Sequence, residues 1–331
     1  MIFHPLILGL YASSILIAFM VVYSSFYGVQ ILRGWNIESG SEQQLVLERK
    51  TYLISTLLAY LLGFELLSLF LYVFTADRLH TFFAGAMCAA GTLYVNGYGY
   101  PALLLKIANF LLAGLWLILN YTDNRGYDYP LIKIKYALVL ALAPLVVTEA
   151  FLQANYFLRL SPDIITSCCG SLFSKGTDSL VSEVSFVPIL PMEAVFYLLM
   201  TLTLFTGVTV YRKGRGGILF ASLSLITFFV SIASILSFIS VYIYELPTHH
   251  CPFCLLQAEY GYIGYPLYAS LLGATISGAG VGVLMPFRKV KSLATSIPSI
   301  QKKLAFSSVA LFLLFTATIT YKMFFSNLVM E

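Results

Sequence analysis

The feature that most constrains this chain is an apolar run of about 20 residues or more that recurs from one end to the other. Eight such runs can be read, at about 5–31, 51–75, 99–121, 134–157, 191–211, 217–244, 263–285 and 304–325. Each is long enough to cross a hydrocarbon layer of roughly 30 Å as a helix. That layer offers no water to backbone N–H and C=O groups, so only helices or a closed barrel can span it. Barrel strands alternate apolar and polar residues, whereas these runs are continuous, which selects helices. Only 10% of the residues are charged, against about a quarter in soluble domains. The expected fold class is therefore an all-α integral membrane protein with about eight transmembrane helices.

The basic residues orient the spans. If the side reached after the first run is taken as one face, its loops hold Arg33, Arg49 and Lys50, then Arg125, Lys133 and Lys135. They continue with Arg212, Lys213 and Arg215, and finally Arg288, Lys289, Lys291, Lys302 and Lys303. These are fourteen of the nineteen lysines and arginines. The opposite face has Arg78, Arg159, Lys175 and Lys322 spread over more loop. The excess of Lys and Arg marks the cytoplasmic side, which puts both termini outside it. The segment Met1–Pro5 has no basic stretch before its long apolar run, so it reads as a first span rather than a cleaved signal peptide.

Three segments are expected: a first four-helix half over 1–158, an extracytoplasmic loop over 159–190, and a second four-helix half over 191–331. The loop is long enough to carry a function of its own. The halves look alike in one place. Cys88 precedes Tyr98-Gly99-Tyr100-Pro101 at the start of the third run, and Cys254 precedes Ile263-Gly264-Tyr265-Pro266 at the start of the seventh. Proline suits a first helical turn, where its missing N–H is not needed. Four spans per half make this a parallel repeat about an axis along the membrane normal.

All five cysteines, Cys88, Cys168, Cys169, Cys251 and Cys254, fall in or beside loops of the extracytoplasmic face. Such compartments permit disulfides, whereas the cytosol keeps thiols reduced. The sharpest element is His249-His250-Cys251-Pro252-Phe253-Cys254. Two cysteines three apart can close and open a disulfide. With Pro252 in a first helical position, Cys251 would cap a helix, where unpaired N–H groups favour the thiolate. Cys251 is then the expected attacking thiol and Cys254 the resolving one; a structural disulfide or half a metal site is the plainer alternative.

These residues resemble disulfide-generating membrane oxidoreductases of the DsbB/BdbC type and, more distantly, vitamin K epoxide reductases. The family's C-x-x-C-x-x-Q-R element is matched by Cys251, Cys254 and Gln257, and Tyr265-Pro266-Leu267 follows as its Tyr-Pro-Leu element. Where the family has arginine, this chain has Ala258. The resemblance implies a membrane quinone near Gln257 and a soluble, extracytoplasmic thioredoxin-like partner. It also implies a redox function in a bacterial cytoplasmic (inner) membrane.

Adjacent Cys168 and Cys169 can form only a strained, easily reduced ring with each other. They suit exchange with an outside partner, soft-metal coordination, or a structural bridge. Cys88 reads as a degenerate copy of the active pair or an inert buried thiol. Within the spans, Glu65, Lys106 and Glu149 lie at one depth in consecutive runs. Charges there face a cavity or each other, so they are expected to form a network: a pocket for a quinone headgroup, a proton relay, or a structural salt bridge.

His249, His250, Cys251 and Cys254 form an alternative metal set, although vicinal residues rarely reach one tetrahedral ion together. No C-x-x-C-H is present for covalent c-type haem, and no glycine loop or other sign of nucleotide chemistry is seen. The leading expectation is a quinone-linked thiol–disulfide oxidoreductase acting through Cys251/Cys254 and Cys168/Cys169. A metal- or haem-handling protein, and a transporter or structural subunit with bracing disulfides, are the alternatives.

Overall fold

A computed structural model describes residues 4–161, 164–166 and 188–328. Among them the regular structure is helical, and eight helices are long and apolar enough to cross a membrane, as an integral membrane protein requires. They are α1 (Pro5–Gly34), α2 (Glu42–Leu79), α4 (Gly99–Asp123), α5 (Ile132–Leu158), α6 (Ile189–Lys213), α7 (Gly217–Tyr244), α8 (Gly264–Val283) and α9 (Ser296–Phe324). A short helix, α3 (Ala89–Tyr94), lies between α2 and α4.

The apolar runs set these helices, but two begin well before the hydrocarbon-length stretch. α2 starts at Glu42 and α9 at Ser296. Backbone hydrogen bonding continues through Gln43, Gln44, Glu48 and Arg49, and at 38 residues α2 is about 57 Å long, far more than a bilayer core needs. At the chain start, Pro5 occupies the first turn of α1, and the His4 ring accepts a hydrogen bond from the Leu6 N–H at 3.4 Å. α7 is interrupted near its end by a π turn at Ile235–Ile239.

The chain forms two compact units, neither continuous in sequence. The first contains α1, α2 as far as Thr75, α4, α5 and residues 286–300. Its core comes from helical spacing: Ile54, Leu58 and Leu62 repeat every four residues on α2, and they join Val139, Leu142 and Trp116. A buried ion pair closes the α4–α5 hairpin. Lys135 Nζ lies 2.8 Å from Asp123 Oδ2 and donates to Asn120 Oδ1 at 3.2 Å. The other Asp123 oxygen accepts the Leu131 N–H at 2.8 Å. Lys135 reads in the sequence as a loop cation; in the structure it is inside the helix pair.

The second unit contains residues 76–95, α6, α7, α8 and α9 from Gln301. Val210, Phe220, Val281 and Ala305 bring its four long helices to a common core. α7 and α8 meet through small residues: a Cβ on Gly278 would lie 2.2 Å from Ser224 Oγ, and one on Gly282 would lie 2.4 Å from Ala221 Cβ. Such close backbone approach is how apolar helices associate where lipid removes a hydrophobic driving force.

Candidate functional site

Cys88, Cys251 and Cys254 converge in the second unit. Their sulfurs all lie within 4.8 Å of one another, and Cys88 Sγ is 3.5 Å from Cys251 Sγ. All three residues are buried, Cys88 and Cys251 completely and Cys254 to 4% exposure.

The local backbone explains how each thiol is placed. Cys88 immediately precedes α3, whose residues Ala89 to Leu93 are buried. The Ala89 N–H donates to Asp77 Oδ1 at 3.3 Å, which fixes the start of α3. Cys251 lies in an irregular stretch whose carbonyls are taken by two tyrosines. Tyr244 donates to the Cys251 carbonyl at 2.5 Å and Tyr268 to the Pro252 carbonyl at 2.7 Å. Cys254 opens a single 3-10 turn, Cys254–Leu256. The start of α8 packs tightly on that turn: a Cβ on Gly264 would come 2.9 Å from the Leu255 carbonyl carbon. This close approach accounts for the glycine in Ile263-Gly264-Tyr265-Pro266.

The helix expected to begin at Pro252, with Cys251 as its cap, does not form there. Two short turns intervene, Gly261 and Tyr262 take positive φ (63° and 56°), and the long helix begins only at Gly264. The carbonyls of Cys251 and Pro252, which a helix would use for its first intrahelical bonds, go to tyrosine hydroxyls instead. The thiolate-favouring helix end is therefore not at Cys251.

Gln257 ties the two cysteine segments together. Its Nε2 donates to the Met87 carbonyl at 2.7 Å and to Asp77 Oδ1 at 3.3 Å. Asp77 thus serves both the start of α3 and Gln257, a role the sequence did not suggest. Neither His249 nor His250 belongs to the cluster of candidate ligand atoms around the three sulfurs. His249 packs edge-on against Tyr244, and His250 Nδ1 lies 2.9 Å from the Leu236 carbonyl. Cys168 and Cys169 lie outside the described residues.

In the first unit the structure brings Glu65, Lys106 and Glu149 together, each at most 2% exposed. Lys106 Nζ lies 2.6 Å from Glu149 Oε1, 3.1 Å from Ser68 Oγ and 3.9 Å from Glu65 Oε1. Asn109 Nδ2 donates to Glu149 Oε2 at 2.6 Å.

The residues expected to face a quinone make contacts within the protein. The Gln257 amide is committed to Asp77 and Met87, the family's arginine is Ala258, and the charged groups of the first unit contact each other. Three neighbouring thiols can do two things chemically. They can pass one disulfide between alternative pairs, because Cys251 neighbours both Cys88 and Cys254, or their thiolates can surround one soft cation.

Which residues the sequence alone would have singled out is instructive for Cys88. Its placement before a Tyr-Gly-Tyr-Pro segment, matching that of Cys254, was the one signal; its contact with Cys251 spans 163 positions. Comparison of the chain with protein-family models, curated proteins and solved structures finds no match.

Proposed function

We propose that this chain is a membrane thiol–disulfide oxidoreductase whose working centre is Cys251 with Cys254 and Cys88. The observation that carries the reading is the 3.5 Å approach of Cys88 Sγ to Cys251 Sγ, with Cys254 Sγ in the same cluster. A disulfide needs its sulfurs about 2.05 Å apart, so small side-chain rotations separate the dithiol from a bridge.

The exchange runs as follows. A thiolate of the reduced pair attacks the disulfide of a soluble thioredoxin-like partner, forming a mixed disulfide and releasing one partner thiolate. The neighbouring cysteine sulfur then attacks the mixed disulfide, and the partner leaves as a dithiol. One S–S bond is made for each one broken, and the two protons of the protein's thiols end on the partner. Cys251 is the pivot, because it can bridge to Cys254 or to Cys88. Where Cys168 and Cys169 mediate, the same two steps run first between their thiols and the partner, and then between this centre and the Cys168–Cys169 disulfide. The excess of basic residues on the opposite loops supports an extracytoplasmic position. No step of this exchange needs a quinone.

Disulfide mapping after acid quenching and alkylation, with the protein in its native membrane, tests the reading. Both Cys251–Cys254 and Cys88–Cys251 bridges should be recovered, in proportions that shift with added oxidant or reductant. Three thiols whose state never changes would defeat it. The presence of a third sulfur in the cluster favours one other reading, coordination of a soft monovalent cation. Stoichiometric metal in purified protein, lost on Cys88→Ser, would select that reading over the first.

A further inference from the structure

The first unit holds a buried ionisable cluster that the cysteine chemistry does not use. Its geometry is lopsided. Glu149 takes the strong contacts, one oxygen at 2.6 Å from Lys106 Nζ and the other at 2.6 Å from Asn109 Nδ2. Glu65 Oε1 lies at 3.9 Å from the same ammonium and has no hydrogen-bond partner among the described residues. Asn109 Oδ1, fully buried, also has no donor among them. The two carboxyl groups thus flank a single ammonium, one on a short contact and one at the limit of an ion pair. Two carboxylates are acceptors only and repel each other, so both sit favourably beside one ammonium only when one of them carries a proton.

Charge counting leads to the same place. Two carboxylates against one ammonium leave one negative charge uncompensated, inside helices of membrane-spanning character, where unpaired charge is costly. The remaining titratable groups nearby are phenols, Tyr72 of α2 and Tyr156 of α5, which are neutral at physiological pH. The Tyr72 ring lies 5.7 Å from Lys106 Nζ. One turn beyond Glu149 on α5, Gln153 contacts Ser14 and the Leu10 carbonyl of α1, and Tyr11 of α1 donates to the Ala154 carbonyl.

We infer that Glu65, Glu149 and Lys106 form a binding site for one proton, held on the carboxyl pair that flanks the lysine. The ligand is the proton itself, and the site is independent of the cysteine reading. Its occupancy follows a counting rule: protons held equal carboxyl groups minus ammonium groups. The wild type holds one, Glu65→Gln and Glu149→Gln hold none, and Lys106→Met holds two.

Infrared difference spectroscopy of the full-length purified protein reads this number through the C=O stretch of a protonated carboxyl, identified by its shift in deuterium oxide. Subtracting each variant from wild type should show one such band lost in Glu65→Gln, one lost in Glu149→Gln, and one gained in Lys106→Met. No band lost in Glu65→Gln, or a band that persists in Glu149→Gln, would overturn the proposal in favour of a fully ionised structural cluster. The two glutamine variants are near-isosteric, so the test holds even where Lys106→Met fails to fold. Replacing the cysteines should leave the band unchanged.

Discussion

Replacing Gln257 with leucine should loosen the thiol cluster without unfolding the protein. The side chain spans the two cysteine segments through one bond to the Met87 carbonyl at 2.7 Å and one to Asp77 Oδ1 at 3.3 Å. The first is solvent-exposed, so water replaces much of what is lost, and it contributes about 0.5 kcal/mol. The second is longer but has a carboxylate acceptor and contributes about 1 kcal/mol. Together the variant should weaken local closure by about 1–2 kcal/mol, which raises the open population about fivefold to thirtyfold. Where opening and closing are fast relative to modification, alkylation of a buried thiol follows that population. The expected result is a five- to thirtyfold faster reaction of Cys88 with N-ethylmaleimide under native conditions, with little change in global thermal unfolding. Gln257→Glu should react faster still, because it removes the donor and sets a carboxylate against Asp77. Wild-type alkylation rates in both variants would refute the idea that Gln257 holds the cluster shut.

Three other outcomes are expected. Gly278→Ala puts a methyl 2.2 Å from Ser224 Oγ and should destabilise the protein by about 1–3 kcal/mol in denaturant titration, with Ser224→Gly in the same chain restoring most of the loss. Lys135→Met leaves the fully buried Asp123 carboxylate without its cation, so thermal or chemical unfolding should show a loss of about 3–5 kcal/mol; adding Asp123→Asn should recover part of it. Finally, hydrogen bonds from the Asn327 backbone and side chain hold Glu245 below the usual carboxylate range. Because the folded value is the lower one, this contact is fully present above the ordinary carboxylate pKa and is lost as pH falls through the lowered value. Hydrogen exchange at the Asn327 amide should accelerate over that acidic window, and should be pH-insensitive beyond intrinsic chemistry in Glu245→Gln.

The long helices were legible because a hydrocarbon-length apolar run admits one backbone solution. Their ends were less so: nothing in Glu42 to Lys50 is apolar enough to mark a span, yet propensity carries α2 through them. α3 escaped notice because Ala89 to Tyr94 has no amphipathic period; burial against its own unit makes it a helix. The meeting of Glu65, Lys106 and Glu149 could be anticipated because intramembrane charges seek one another. Lys135 could not be distinguished from a cytoplasmic loop lysine, since its partner Asp123 sits at the end of the preceding helix. The irregular backbone at Cys251 depends on the hydroxyls of Tyr244 and Tyr268, and no local pattern announces tertiary bonds of that kind. The same holds for Cys88, whose significance rests on a contact far along the chain.

That separation has a consequence for biosynthesis. Cys88 leaves the ribosome 163 residues before Cys251, which at typical rates of synthesis is on the order of ten to thirty seconds. Throughout that interval its eventual sulfur neighbours do not yet exist, while Cys168 and Cys169 are made first and arrive as rivals. Assembly of the centre must therefore either tolerate a provisional partner and later exchange it, or guard the first thiol until the last third of the protein has been translated.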